Sequence, residues 1–321
     1  MNGLFRHLLI GLGGLIGFGT GALGQDFPNR PVRILVGYTA GSLPDLAARS
    51  IAQALSKNFG QSFVVENKPG AGATLATDIA AKSPADGYTL LLGETGQLEM
   101  APYLFKALPY DTLRDLAPIG LVASAPVIFV SNLKTQIKTI RDLIREAKAN
   151  PGKLNYGSSG IGSFHQIVFE AFNAAAGVKL THIPFKGSTQ TLPALLAGEV
   201  QVIPASVVNA MTNATKINLL GVTSLKRDPF APDVPPISAE IKGFDFSSEF
   251  GVLAPAGLPP EVLAKLSGAL KSAVETQEMQ EQFKKLQMLL AWTPPEDYRE
   301  KIRQNLKKFE QVIRTANIQA N

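Results

Sequence analysis

The sequence contains no cysteine. Disulfides, thiolate nucleophiles, thiolate-bound metals and a lipidated N-terminal cysteine are therefore all excluded. Histidine is scarce: His7, His165 and His182 are the only three in 321 residues, and no two have the spacing of a metal site. Charged residues make up 18% of the chain, and the net charge of +5 is scattered rather than gathered into a basic run. Nucleic acid is thus not an expected partner. No P-loop is present, and "GSSGIG" does not fit the serine hydrolase pattern G-x-S-x-G. "GLGGLIG" is not a dinucleotide fingerprint, because Ile16 stands where the third glycine should be. Beyond residue 24 no segment is apolar enough to cross a bilayer. No cofactor is implied.

What is present suits a globular protein with a sizeable core: 45% of residues are hydrophobic, and the length allows two domains. Residues 1–24 read as a secretory signal peptide. Arg6 and His7 give a basic start, "LLIGLGGLIGFG" a short apolar stretch, and Ala22 and Gly24 small residues before a cut near Gln25. The mature chain is then expected outside the cytoplasm.

From there strand and helix patterns alternate. "VRILVGY", "SFVVEN" and "YTLLLG" read as strands. Between them "LPDLAARSIAQALSKNFG" and "GATLATDIAAKS" read as helices, the first with Leu43, Leu46, Ala47, Ile51 and Leu55 near one face. This β-α-β-α-β order implies a parallel sheet covered on both sides. "IGLVASAPVIFVSN" is too long for an ordinary strand and has Pro126 in its middle, so it reads as a crossover into a second β/α series. "FSSEFGVLAPAG" reads as the return crossing, and two amphipathic C-terminal helices follow, "PEVLAKLSGALKSAVET" and "PPEDYREKIRQNLKKFEQVIRTA". The expected fold is α/β: two doubly wound lobes joined by two hinge crossings, with residues 25–125 and 228–321 forming lobe 1 and 126–227 lobe 2. Ligands of open α/β sheets sit beyond the carboxyl ends of the strands, and two such edges facing each other make a cleft that can close by hinge motion.

The loops expected at those edges are small and polar. After the first strand come Tyr38, Thr39, Ala40, Gly41 and Ser42. Ser42 with Asp45 reads as a capping box, and the loop backbone at this helix start suits an anion. Glu94, Thr95, Gly96 and Gln97 follow the third strand. In the second series the corresponding loops carry Ser158 and Ser159, then Lys186, Gly187 and Ser188, then Ala205 and Ser206. His165 lies on a helix beside the first of these, as either a ligand neighbour or a structural residue. His182, inside an apolar strand, reads as a packed core residue. A hydrolase would have to use Ser158 or Ser159 with His165, since no other arrangement offers a serine and a base. A DNA-binding regulator is excluded by the signal segment and by the lack of a preceding helix pair.

Several stretches together resemble the substrate-binding proteins of tripartite tricarboxylate transporters, the Bug family: "PNRPVRILVGYTAGSLPDLAAR", "VVENKPGAGATLATDIAAKSPADGYTLLLG", "LPYDTLRDLAPIGLV", "NPGKLNYGSSGIGS", "IPFKGSTQTLPALLAGEVQV", "LGVTS" and "FGVLAPAGLPPEVLAKL". They run over essentially the whole mature chain. The resemblance implies a monomeric, non-catalytic, periplasmic solute receptor of the type II-like binding-protein fold. Such a receptor delivers a small carboxylate or amino-acid-like solute to membrane permease subunits, or else reports it to a sensor kinase. It implies that the ligand carboxylate is held by backbone amides of Tyr38 to Ser42 and Glu94 to Gln97, with Ser158, Ser159, Lys186, Gly187, Ser188, Ala205 and Ser206 closing over the other end. Departures from the family pattern are Thr39-Ala40-Gly41-Ser42 in place of a Pro-Pro-Gly-Gly type turn, Ala205 where an aspartate often stands, and Glu249 where a tryptophan is expected. If Glu94 and Glu249 both face the cleft, they disfavour tricarboxylates and favour a monocarboxylate or a zwitterion.

Overall fold

The computed structural model describes residues 27–319; the segment read as a signal peptide lies outside them. In chain order the elements are β1 (Val32–Val36), α1 (Leu43–Phe59), β2 (Phe63–Asn67), α2 (Thr74–Ala81), β3 (Thr89–Glu94), α3 (Ala101–Leu104), α4 (Thr112–Asp115), β4 (Leu116–Asn132), α5 (Ile140–Ala149), β5 (Asn155–Ser158), α6 (Phe164–Ala176), β6 (Thr181–Pro184), α7 (Ser188–Ala197), β7 (Val202–Ser206), α8 (Val207–Thr212), β8 (Ile217–Val222), β9 (Ser247–Pro255), α9 (Pro260–Val274), α10 (Gln277–Lys285), β10 (Leu289–Thr293) and α11 (Pro295–Thr315). A π-helical stretch, Gly96–Met100, links β3 to α3.

Strands β2, β1 and β3 pair in parallel, as the alternation of patterns requires. Antiparallel β9 then joins β3 to β4. The second half runs β4-β7-β5-β6, with β5 parallel to both of its neighbours. The long apolar stretch is one strand after all: β4 belongs to both halves. Its residues 116–126 pair with β9, and its residues 127–132 with β7 and β8. Pro126 is tolerated because it sits at the changeover, opposite Ser247 at the very start of β9. The return link is short: the Phe246 N–H donates to Thr223 O at 2.9 Å, and from Ser247 onward the chain lies in the first half.

Each half has its own apolar filling. Ile34, Ile51, Leu55, Leu90 and Val252 pack together in the first; Phe129, Phe169 and Tyr156 stack in the second, with Phe172 edge-on to Phe129 and Phe169. Ile237, Phe244 and Phe246, which follow the expected 228 boundary, pack with the second set, as do Phe309 and Ile313 near the end of α11. This packing, with Ile302 against the first half, makes α11 a brace across both halves. The C-terminal region also holds three helices rather than two, with β10 inserted and paired to β4. On α1, Leu46 is 40% exposed and Ala48 takes the buried place.

Candidate functional site

A cavity of ≈ 470 Å³ opens where the two halves meet. Tyr38 follows β1, Gly72 follows β2, Glu94 ends β3 and Gly96 follows it; these form one wall. Gly162 and Ser163, which follow β5, and Phe164, the first residue of α6, form the other. This is the carboxyl-edge geometry expected of facing α/β sheets.

Glu94 is the polar centre of the first wall. Its Oε2 accepts from the Tyr38 hydroxyl at 2.6 Å and from the Gly96 N–H at 2.8 Å. Its Oε1 accepts from the Ser248 hydroxyl. Burial, and then the Glu94 charge, push the Tyr38 phenol well above its ordinary range, so it stays a donor. Gly96 lies close under this carboxylate: a Cβ there would stand 2.8 Å from Glu94 Oε2, so a larger residue would shift the Glu94 side chain.

Beyond the first turn of the cleft, the expected anion contact at α1 is modified by the chain itself. Ser42 does not close a capping box; its Oγ is buried without a partner. Instead the buried carboxylate of Asp45 accepts from the Gly41 N–H, from Asn67 and from Arg49. The Arg49 partner and these hydrogen bonds outweigh burial and hold the Asp45 carboxyl below its usual value. One anion, supplied by the protein, already faces this positive helix end. The N–H groups of Thr39 and Ala40 have no backbone partner among the described residues.

Of the other expected residues, Thr95 and Gln97 point inward. The Thr95 hydroxyl accepts the Glu249 N–H, and the Gln97 side chain donates to Leu92 O. Glu249 does not face the cleft: its Oε1 sits 2.6 Å from Lys301 Nζ and its Oε2 accepts from Asn305. The reason is strand alternation. Successive residues of β9 point to opposite faces, so Ser248 and Phe250 line the cavity while Glu249 turns to α11. That signal was readable in "SSEFG".

Ser158 is fully buried and its Oγ lies 2.6 Å from Nε2 of His182, which stacks on Tyr156. The partner of Ser158 is therefore His182 and not His165, the histidine a hydrolase reading would have to pair with it. Ser159 is partly buried and does not line the cavity, and Lys186 is exposed. His165, Ser188, Ala205 and Ser206 gather instead around a separate hollow of ≈ 70 Å³ in the second half, next to Gly187 at the start of α7. Burial lowers both His165 and His182 to about 4, so both are neutral imidazoles near pH 7. Unforeseen in the sequence were the apolar contributors Met100, Leu104, Phe105 and Phe250, which read equally well as core. Among the described residues no cluster of side chains could hold a metal ion.

Behind the cavity floor a second polar group is locked away. Glu99, 1% exposed, has an Oε2 with no partner. Burial, and then the charge of Glu249, raise its carboxyl well above the ordinary value. A carboxyl raised in the folded state favours folding at low pH and loses that contribution as pH climbs from the usual carboxylate range through the raised value. Glu99→Gln, which mimics the protonated acid, is therefore expected to stabilise the protein by roughly 1–3 kcal/mol at pH 8 and to have little effect near pH 4. Urea titrations at the two pH values check this; equal effects at both would refute it.

The comparisons with known proteins agree with this geometry. The family model described as "Tripartite tricarboxylate transporter family receptor" matches residues 47–318. Protein BugT of Bordetella pertussis is 30% identical over 297 residues, covering 90% of each chain. Among solved structures, R. palustris Rpa4515 with adipate has a TM-score of 0.78 at 30% identity, covering 92% of this chain and 99% of that one. MatC from Rhodopseudomonas palustris with bound malate has a TM-score of 0.72 at 29% identity, covering 89% and 100%. The chain belongs to the tripartite tricarboxylate transporter receptor family, as a solute-binding receptor of the Bug type with an α/β, type II-like binding-protein fold.

Proposed function

We propose that the protein captures a small carboxylate-containing solute in the cavity between its halves, in the periplasm, and delivers it as a monomer to the membrane subunits of a tripartite tricarboxylate transporter. The observation that carries this reading is the cavity itself, with Tyr38 and Gly96 on one wall and Ser163 and Phe164, at the start of α6, on the other. On one side, next to Tyr38, the N–H groups of Thr39 and Ala40 have no backbone partner among the described residues. On the other, α6 begins at Phe164, and the N–H groups of Phe164 and His165 precede the first intrahelical bond, Ile167 N–H to Ser163 O. Closure about β4 and the 246–247 link brings both sets to one carboxylate, and the solute drives closure by its preference for the closed form. The solved relatives with adipate and malate support the ligand class.

A thermal-shift screen with mono-, di- and tricarboxylates, aromatic acids, amino acids and neutral amides tests this. A carboxylate solute at about one hundred times its dissociation constant adds about 2.7 kcal/mol and several degrees. Stabilisation by neutral amides alone, or silence throughout with no co-purified solute in native mass spectra, would overturn it.

A further inference from the structure

The cavity between the halves has an uneven charge. Glu94 contributes a carboxylate, and among the described lining residues there is no lysine, arginine or histidine to oppose it. The nearby lysines are engaged elsewhere. Lys301 pairs with Glu249 at 2.6 Å, and Lys308 donates to Asp245 O at 3.1 Å while lying over the Phe246 ring. Tyr38, Gly96 and Ser248 supply three donors to Glu94. A carboxylate has about four acceptor positions, so one remains for a donor that arrives with the solute. Apart from Ser163, the other side chains of the wall are apolar, among them Met100, Leu104, Phe105, Phe164 and Phe250. A second carboxylate on the solute would meet Glu94 in a partly dry site, where like charges repel far more than in water.

Resting on the receptor function, we propose that Glu94 is the specificity-determining residue of this cavity: it receives a protonated nitrogen, so the solute is an apolar-bodied amino acid or other amine-bearing monocarboxylate rather than a dicarboxylate. Its carboxylate goes to the backbone donors, its ammonium to Glu94, and its hydrocarbon to the phenylalanine-rich wall, where ring faces also favour a cation.

The test is calorimetric titration of the full chain with probes of matched length: 6-aminohexanoate, hexanoate and adipate, with phenylalanine and 3-phenylpropanoate as a second pair. In each set the amine-bearing probe should bind at least about tenfold tighter than its amine-free partners. Glu94→Gln should erase that preference, bringing the ratio of amine-bearing to amine-free affinity to about one. Ser248→Ala removes a donor but not the charge, and should keep the preference. It provides a readout if Glu94→Gln folds poorly. If adipate or hexanoate binds wild type as tightly as 6-aminohexanoate, or Glu94→Gln leaves the ratio unchanged, the inference about Glu94 is overturned and the receptor reading stands. If every carboxylate probe is silent, the receptor reading itself has failed and this one falls with it.

Discussion

Lys301→Met is expected to destabilise the protein by about 2 kcal/mol at pH 8 and by much less below pH 5. Glu249 is buried, with its side chain 7% exposed, and Lys301 Nζ is its one cationic contact among the described residues, at 2.6 Å. Losing one member of a fully buried pair costs about 3–5 kcal/mol, because a charge is left without compensation. Lys301 is 42% exposed, so water replaces part of what it supplied and the figure is discounted accordingly. Burial already raises the Glu249 carboxyl, with Lys301 pulling the other way; without the lysine it rises further. The folded variant then holds a proton that the unfolded chain releases. The loss therefore grows as pH climbs from the ordinary carboxylate range, and it vanishes below that range, where Glu249 is neutral in both states. Glu249→Gln combined with Lys301→Met should recover most of the stability, since no charge remains to be stranded. Urea unfolding at pH 4.5 and pH 8 decides this. The same loss at both values, or a double variant no better than the single, would sink the argument.

This pair shows what could and could not be read from the sequence. The β/α alternation was legible because strand and helix periods and their glycine stops are local. The direction of Glu249, open in the sequence reading, depends on strand phase, and Ser248, Glu249 and Phe250 carry that phase in their order. The engagement of Glu94 with Tyr38 and Ser248 was not legible, for it joins residues 56 and 154 positions apart. Nor was the Ser158–His182 contact, which depends on the register of β5 against β6. Asp45 lay in plain view as a first-turn acid, yet its partners Arg49 and Asn67 come from two elements. α11 reads in sequence as an ordinary covering helix. Its role as a brace appears only once Ile302 is seen against the first half and Ile313 against the second.

Gly37→Ala should lower stability by roughly 2–3 kcal/mol and weaken solute binding by about tenfold or more. Gly37 sits between β1 and Tyr38, and its Cα backs directly onto the loop that follows β2. A Cβ there would stand 2.3 Å from the Ala73 Cβ, 2.7 Å from its Cα and 2.9 Å from its carbonyl oxygen. Two of those atoms are backbone, so no side-chain rotation relieves the clash. The loop has little room to yield. Ala71 and Ala73 already hold left-handed conformations, with φ of 47° and 71°, which costs a non-glycine residue about 1–2 kcal/mol. The Ala73 N–H is tied to Gly70 O at 2.9 Å, and its carbonyl accepts from Thr77. Displacing this loop moves Gly72, which lines the cavity, away from Tyr38, and Tyr38 in turn carries one of the donors that hold Glu94. A steric change at a residue outside the cavity is thus transmitted to its polar centre. Adding Ala73→Gly removes the closest contact and the left-handed strain together, but leaves the 2.7 Å and 2.9 Å contacts to backbone. The double variant should therefore recover stability only in part. Denaturation and solute titration of the three variants separate the outcomes. Unchanged stability and affinity in Gly37→Ala would show that the 70–73 loop gives way freely and does not set the shape of the cleft.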